Sequence, residues 1–206
     1  MRPDRAELDV DMVRHSASGP ASRWIETVSV GDRLVVAVPR AEVEGIDAIG
    51  LAWRPGNAKQ ILVAGDETAA PAIANIAASL GADVVGTILV EMPTPEDTWP
   101  LTAPPGVEVR LLCRDGEAPG SLLERELHAL TWPPEPSGIV PAEEFHDDAG
   151  TLWDEPVGDA DGEHFAWLAG ESGAVKRMRR LLVSERGCPR DRVAFMGYWR
   201  RGRAES

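Results

Sequence analysis

Gln60-Ile61-Leu62-Val63-Ala64-Gly65-Asp66-Glu67-Thr68-Ala69-Ala70-Pro71-Ala72-Ile73-Ala74 is the stretch from which the fold is read. A short apolar run ends at Gly65. Capping-type residues stand at Asp66 and Thr68, and Pro71 falls in the first turn of an alanine-rich helix. Strand, glycine, cap and helix is how an open α/β sheet builds a crevice beyond the carboxyl ends of its strands. The unpaired N–H groups of such a helix start can hold an anion. The pattern returns as Phe165-Ala166-Trp167-Leu168-Ala169-Gly170-Glu171-Ser172, followed by a helical period from Gly173 to Val183. Two such turns in one chain point to a nucleotide-type crevice.

Working outward, the rhythm from Gln60 is α/β: strand 60–64, helix 68–80, strand 83–90, a Pro-rich loop 92–106, strand 107–112, helix 120–130, strand 164–169, helix 173–185 and strand 192–196. This alternation predicts a parallel sheet with helices on its faces. Residues 132–163 are rich in Pro, Gly, Asp and Glu and carry no helical period, so they read as an acidic surface excursion. Upstream, Glu7 to His15 alternates like a strand, Pro20 opens a short helix over Ala21 to Thr27, and Gly31-Asp32 turns into a strand Arg33 to Val38. Residues 41–59 form a connection, with a strand expected near Ile49 to Trp53.

Bulk properties narrow the function classes. The 43% hydrophobic content of the 206 residues is ordinary for a globular protein. A formal charge of −13 argues against nucleic acid as a partner, because that needs a basic footprint. Cys113 and Cys188 are distant and form no CxxC pair, which fits a reducing cytoplasm and gives no metal site. The polar start is no signal peptide, and no apolar run reaches membrane-spanning length. The four histidines, His15, His128, His146 and His164, fall at no ligand or triad spacing, leaving hydrolase and metalloenzyme readings without residues.

Each candidate constellation carries two readings. Gly65-Asp66-Glu67-Thr68 is a strand-to-helix turn in which Asp66 or Thr68 caps and Glu67 complements the macrodipole, or it is a cofactor contact. Its two acids would repel a pyrophosphate, so a ribose or nicotinamide is the easier neighbour. Gly170-Glu171-Ser172 opens a helix whose Lys176, Arg177, Arg179 and Arg180 offset the negative end of the dipole; alternatively, Lys176 or Arg177 reaches a cofactor phosphate. Tyr198 and Trp199, followed by Arg200, cover a planar ring or plug the sheet end. Gly19-x-x-Ser22, at a helix start beside His15, is a pyrophosphate turn or an ordinary cap.

Taken in order, Glu7-Leu8-Asp9-Val10-Asp11, His15 with Gly19-Pro20-Ala21-Ser22-Arg23-Trp24, Gly31-Asp32-Arg33-Leu34, Ala64 to Ala69, Ala169 to Ser172 and Gly197 to Gly202 resemble the siderophore-interacting protein family. These are flavin-dependent ferric-siderophore reductases of the ferredoxin-reductase-like fold. The resemblance implies an FAD-binding β-barrel followed by an α/β domain for NADPH or NADH, acting on a ferric siderophore as a cytoplasmic monomer. It implies a barrel remnant at 1–40, a connection at 41–59 and the nicotinamide domain at 60–206. It places His15, Gly19, Pro20, Ala21, Ser22 and Trp24 at the flavin. Gly65, Asp66, Glu67, Thr68, Gly170, Glu171, Ser172, Lys176 and Arg177 would lie at the nicotinamide cofactor, and Tyr198, Trp199 and Arg200 at the junction. The family's Arg-x-Tyr-Thr flavin motif is absent, Tyr198 being the only tyrosine. The expectation is therefore a member lacking roughly one domain's length of its barrel, either as a shortened reading frame, a non-catalytic nucleotide-binding module or an inactive paralogue.

Overall fold

A computed structural model describes residues 3–10, 12, 20–36, 52–97, 101–132, 153–154, 156 and 162–202. The chain divides into two compact units, Met1–Val38 with Gly202–Ser206, and Pro39–Arg201.

The larger unit is built on a six-stranded sheet. Its elements are β1 (Gln60–Asp66), α2 (Ala70–Ser79), β2 (Val85–Met92), β3 (Val107–Cys113), α3 (Ser121–Ala129), β4 (Trp153–Asp154), β5 (His164–Glu171), α4 (Ser172–Arg179) and β6 (Val193–Trp199), preceded in the smaller unit by α1 (Pro20–Thr27). The order across the sheet is β3-β2-β1-β5-β6-β4. The first five are mutually parallel, and β4 is an antiparallel edge on β6, with Trp153 opposite Met196. Central strands read as unbroken apolar runs because both faces are covered: every residue of β5 from His164 to Gly170 is buried.

Two cores sit on the two faces. Ile61, Val63, Phe165 and Trp167 pack with Ile73 and Ile76 of α2 on one side. Leu62, Leu89, Leu168 and Phe195 pack with Leu123 and Leu127 of α3 and Val175 and Met178 of α4 on the other. The connection from β1 thus crosses one face toward β2, while that from β5 crosses the opposite face toward β6. Neighbouring strands whose connections leave in opposite directions create the switch point at which α/β crevices open.

One close approach and one hydrogen-bonded tie fix this geometry. Gly86, at φ +147°, lies where a Cβ would overlap the carbonyl of Ile61, so only glycine lets β2 reach β1. After α4 the chain widens into a π-helical segment, Arg180–Glu185. Arg186 then ties the far end of α3, its Nη1 donating to the carbonyls of Leu130 at 2.8 Å and Trp132 at 3.0 Å.

Most expected elements hold, with shifted bounds. The helix expected at 68–80 starts at Ala70, and the helix expected at 173–185 is α4 plus the π-helical segment. The acidic excursion 132–163 contributes β4; its remainder, apart from Trp132, Pro156, Gly162 and Glu163, lies outside the described residues. Ala52 and Trp53 are not in a strand, and the rest of the strand expected there is outside the described residues.

The smaller unit bears out part of the expectation. The helix is present, and the turn at Gly31-Asp32 is closed by the Asp32 N–H donating to Ser29 O at 3.0 Å. Of the strands expected at 7–15 and 33–38, the described residues 8–10, 12 and 33–36 are not in a strand and Glu7 is a single bridge residue, while 11, 13–15 and 37–38 lie outside the described residues. Alternation marks a strand only when a neighbour accepts its hydrogen bonds. Here Leu8, Val10, Leu34, Val35 and Val36 are all exposed.

His164, at the amino end of β5, gives a pH prediction. It is buried with its ring edge-on to Trp132. Burial, then the nearby Arg192 charge, holds its pKa below the ordinary 6.5. Below that value the unfolded chain binds a proton that the folded chain refuses. Stability is therefore full above about pH 6.5 and falls as pH drops toward the depressed folded pKa. Urea midpoints of wild type and His164→Phe, compared from pH 7.5 down to 5, should show a shallower loss in the variant.

Candidate functional site

Asp66, the last residue of β1, is 1% exposed and accepts four hydrogen bonds. Its Oδ2 takes the Glu171 N–H at 2.8 Å and the Trp199 indole Nε1–H at 2.8 Å. Its Oδ1 takes the Thr68 N–H at 3.0 Å and the Thr68 hydroxyl. One carboxylate thus joins the carboxyl ends of β1, β5 and β6 and folds the turn that leads to α2. Burial pushes its pKa up, while the Thr68 and Trp199 donors pull the other way.

Glycines make this convergence sterically feasible. At Gly65 a Cβ would lie 2.6 Å from Ala69 Cβ and 2.9 Å from Ala169 O. At Gly170, φ +143°, it would lie 2.5 Å from Asp66 Oδ2, and at Gly197 it would overlap the Ser172 hydroxyl. Gly65 pairs with Val90 on one side and Ala169 on the other, so the two glycine turns read from sequence end side by side. A register shift at Gly170/Glu171 sets Glu171 opposite Trp199.

The second turn is capped by Glu171, whose Oε2 accepts from Ala174 N at 2.9 Å and Oε1 from Arg201 N at 3.3 Å. Ser172, the first residue of α4, donates its hydroxyl to Trp199 O at 2.9 Å. Neither α2 nor α4 has an acid in its first turn, and the basic residues of α4 are Lys176, Arg177 and Arg179.

Beside Asp66 lies a second buried polar set. Arg114, just past β3, grips Glu67 with Nη1 to Oε2 at 2.7 Å and Nη2 to Oε1 at 2.9 Å. Its Nη1 also donates to Glu91 Oε1 at 3.1 Å. Glu91, the buried acid near the end of β2, takes the N–H groups of Gly120 at 2.7 Å, Leu122 at 3.0 Å and Leu123 at 3.3 Å. It is therefore the cap of α3, supplied from another strand.

The sequence-predicted residues fall as follows. Asp66 forms the floor between the strand tips and turns inward to protein donors. It does not cap α2, whose start at Ala69 has no side-chain cap. Glu67 is committed to Arg114, and Thr68 to Asp66. Gly170, Glu171 and Ser172 adjoin the same floor. Arg177 pairs with Glu124 of α3, Nη2 to Oε1 at 2.7 Å, whereas Lys176 lies half-buried one residue earlier. Tyr198 packs edge-on to Trp167 and stacks with Trp153 at 6.1 Å, while Trp199 is tethered to Asp66 and Arg200 is exposed. Burial, then the Asp66 charge, pushes the Tyr198 hydroxyl up to about 12. In the smaller unit Pro20 and Ala21 are exposed and Ser22 and Trp24 half-buried on α1, with no acid in its first turn. His15 and Gly19 lie outside the described residues. Local sequence pattern does not single out Glu91, Arg114, Gly120 or Glu124. The one sequence signal for them was an acid, Glu91, between Val90 and Met92 in an apolar strand, which demands buried partners.

Comparison with known proteins gives concordant matches. The family model described as Siderophore-interacting protein matches residues 58–202, and that described as Siderophore-interacting FAD-binding domain matches residues 1–43. An uncharacterized protein of Mycobacterium tuberculosis is 31% identical over 209 residues, which cover 97% of this chain and 62% of that protein. The ferric vibriobactin reductase ViuB of Vibrio cholerae is 26% identical over 204 residues, 99% of this chain and 63% of its own length. This chain therefore spans less than two thirds of either relative. Among solved structures, a siderophore utilization protein from T. fusca matches with TM-score 0.63 and 30% identity, over 95% of this chain and 61% of that one. SipS from Aeromonas hydrophila matches with TM-score 0.62 and 26% identity, over 97% of this chain and 69% of that one.

Asp66→Asn tests the floor. An amide presents one oxygen and one NH2 to four donors, leaving donors facing donors in a buried site. The variant should lose about 2 kcal/mol or more, lowering the melting temperature by roughly 5 °C. Thermal denaturation followed by circular dichroism measures this.

Proposed function

The chain belongs to the siderophore-interacting protein family, and from that premise we propose that it serves the reduction of ferric siderophores, with NADPH or NADH as electron donor and FAD as carrier. The single observation that carries the reading is the Asp66 floor. It aligns two glycine turns and the starts of α2 and α4 at the switch point between β1 and β5.

The residues suit these groups. The start of α2 has no side-chain cap and no acid in its first turn, which favours an anionic dinucleotide there, whereas at α4 the Glu171 carboxylate already accepts from the Ala174 N–H. Thr68, Glu171 and Ser172 spend their polar groups on the backbone and on Asp66, so their part is to hold the loops in shape. Lys176, about one turn along α4 from Ser172, favours NADPH, since a 2′-phosphate wants a cation. The start of α1, with Pro20, Ala21 and Ser22, likewise has no acid to oppose the flavin pyrophosphate. Bound FAD supplies the step from two-electron hydride donor to single-electron delivery; the iron is cargo, held by the siderophore. The protein's own contribution is to hold the dinucleotide still. The cytoplasm is the compartment consistent with the two separated cysteines.

Two measurements test the proposal. Calorimetry should show NADPH bound more tightly than NADH, with Lys176→Ala weakening NADPH about tenfold and NADH less than about twofold. With FAD, NADPH and ferric vibriobactin, an iron(II)-chelating dye should report iron(II). Dinucleotide binding without iron(II) would leave a nucleotide-binding module, and no binding of either nucleotide would remove the proposal.

A further inference from the structure

The β1–α2 turn carries two consecutive acids, Asp66 and Glu67, where the proposed function puts a dinucleotide. Unshielded, they would oppose any phosphate brought near. Asp66 is withdrawn by burial, its oxygens filled by Glu171, Trp199 and Thr68 donors. Glu67 is different: its side chain is only 12% exposed, yet it stands on the turn itself, and what faces it is the Arg114 guanidinium.

We infer that Arg114 is an electrostatic shield, a positioning residue that cancels the Glu67 charge and so allows an anionic nucleotide to settle at the β1–α2 turn. The inference rests on the nucleotide reading above. Geometry supports it in three ways. The pair is bidentate, with both Glu67 oxygens engaged, so little negative charge is left facing outward. Arg114 is itself 8% exposed, its guanidinium held by Glu67 and Glu91 rather than extended at the surface. The remaining charge of the group, Glu91, is fully buried and answered by the N-terminal amides of α3. The group is therefore charge-balanced toward solvent although it contains two acids and one base. Burial alone would lower the Arg114 pKa, but Glu67 and then Glu91 more than offset it, so the shield stays charged.

A shield and a structural strut predict opposite signs. Glu67→Gln removes an acid and leaves Arg114 positive, so NADPH should bind about threefold more tightly at low salt. Arg114→Gln exposes Glu67, so NADPH should bind about tenfold more weakly, and the deficit should shrink as added salt screens the charge. The double variant should return to within about twofold of wild type. Calorimetry with NADPH on the full chain, at low and high ionic strength, reads all four proteins. Weaker or unchanged binding by Glu67→Gln, or a salt-independent deficit in Arg114→Gln, overturns the shield while wild-type binding keeps the nucleotide reading. Should Arg114→Gln fail to fold, the Glu67→Gln arm alone decides. Failure of the wild-type chain to bind NADPH is a separate result that takes down the nucleotide reading and the shield together.

Discussion

A single buried carboxylate organises the carboxyl edge of this sheet. Parallel strands leave their last amides and carbonyls unpaired where the chain turns into helices, and something must collect them. Asp66 does so for three strands at once, through Thr68 on its own turn, the backbone of Glu171 and the indole of Trp199. Burying a carboxylate this far is costly unless each lone pair is used, and here four donors use them. The same demand explains the glycines. A side chain at Gly170 would stand in the space of the Asp66 carboxylate, and one at Gly65 would push α2 away.

The Glu67, Arg114 and Glu91 group does comparable work one strand over. It links the β1–α2 turn, the end of β2 and the start of α3, three segments that share no sequence neighbourhood. Buried ion pairs add little net stability, and removing one partner is costly because the other charge is left alone. What the pairs do here is join segments: Arg114 holds Glu67 of the turn through both carboxylate oxygens and Glu91 of β2 through one. The site is thus a rigid edge whose shape is set by polar contacts and whose support is the apolar packing of α2 on one face and α3 and α4 on the other.

What the sequence reveals follows from the range of the forces involved. Apolar runs and helix periods are local, so the α/β order and the two glycine turns at Gly65 and Gly170 can be read directly. Pairing across distance cannot. Asp66 looks like a cap in sequence because caps are short-range; besides Thr68 on its own turn, its donors are 105 and 133 residues away. Arg177 looks like a ligand cation, yet Glu124 on α3 claims it. Alternation at Leu8 to Met12 promises a strand that the described residues do not form, since a strand depends on a partner that alternation alone does not supply. The family resemblance reached further than local pattern because it reads spacing across the whole chain.

The proposed nucleotide site is the strand edge that Asp66 assembles. Hydrogen–deuterium exchange with and without saturating NADPH measures this residue by residue. Slowed exchange should be confined to the amides of residues 68–70, 72–73 and 172–176, with Val85, Val107 and His164 at the opposite end of the strands unchanged. Protection at that opposite end, or none at the two glycine turns while NADPH is bound, would contradict it.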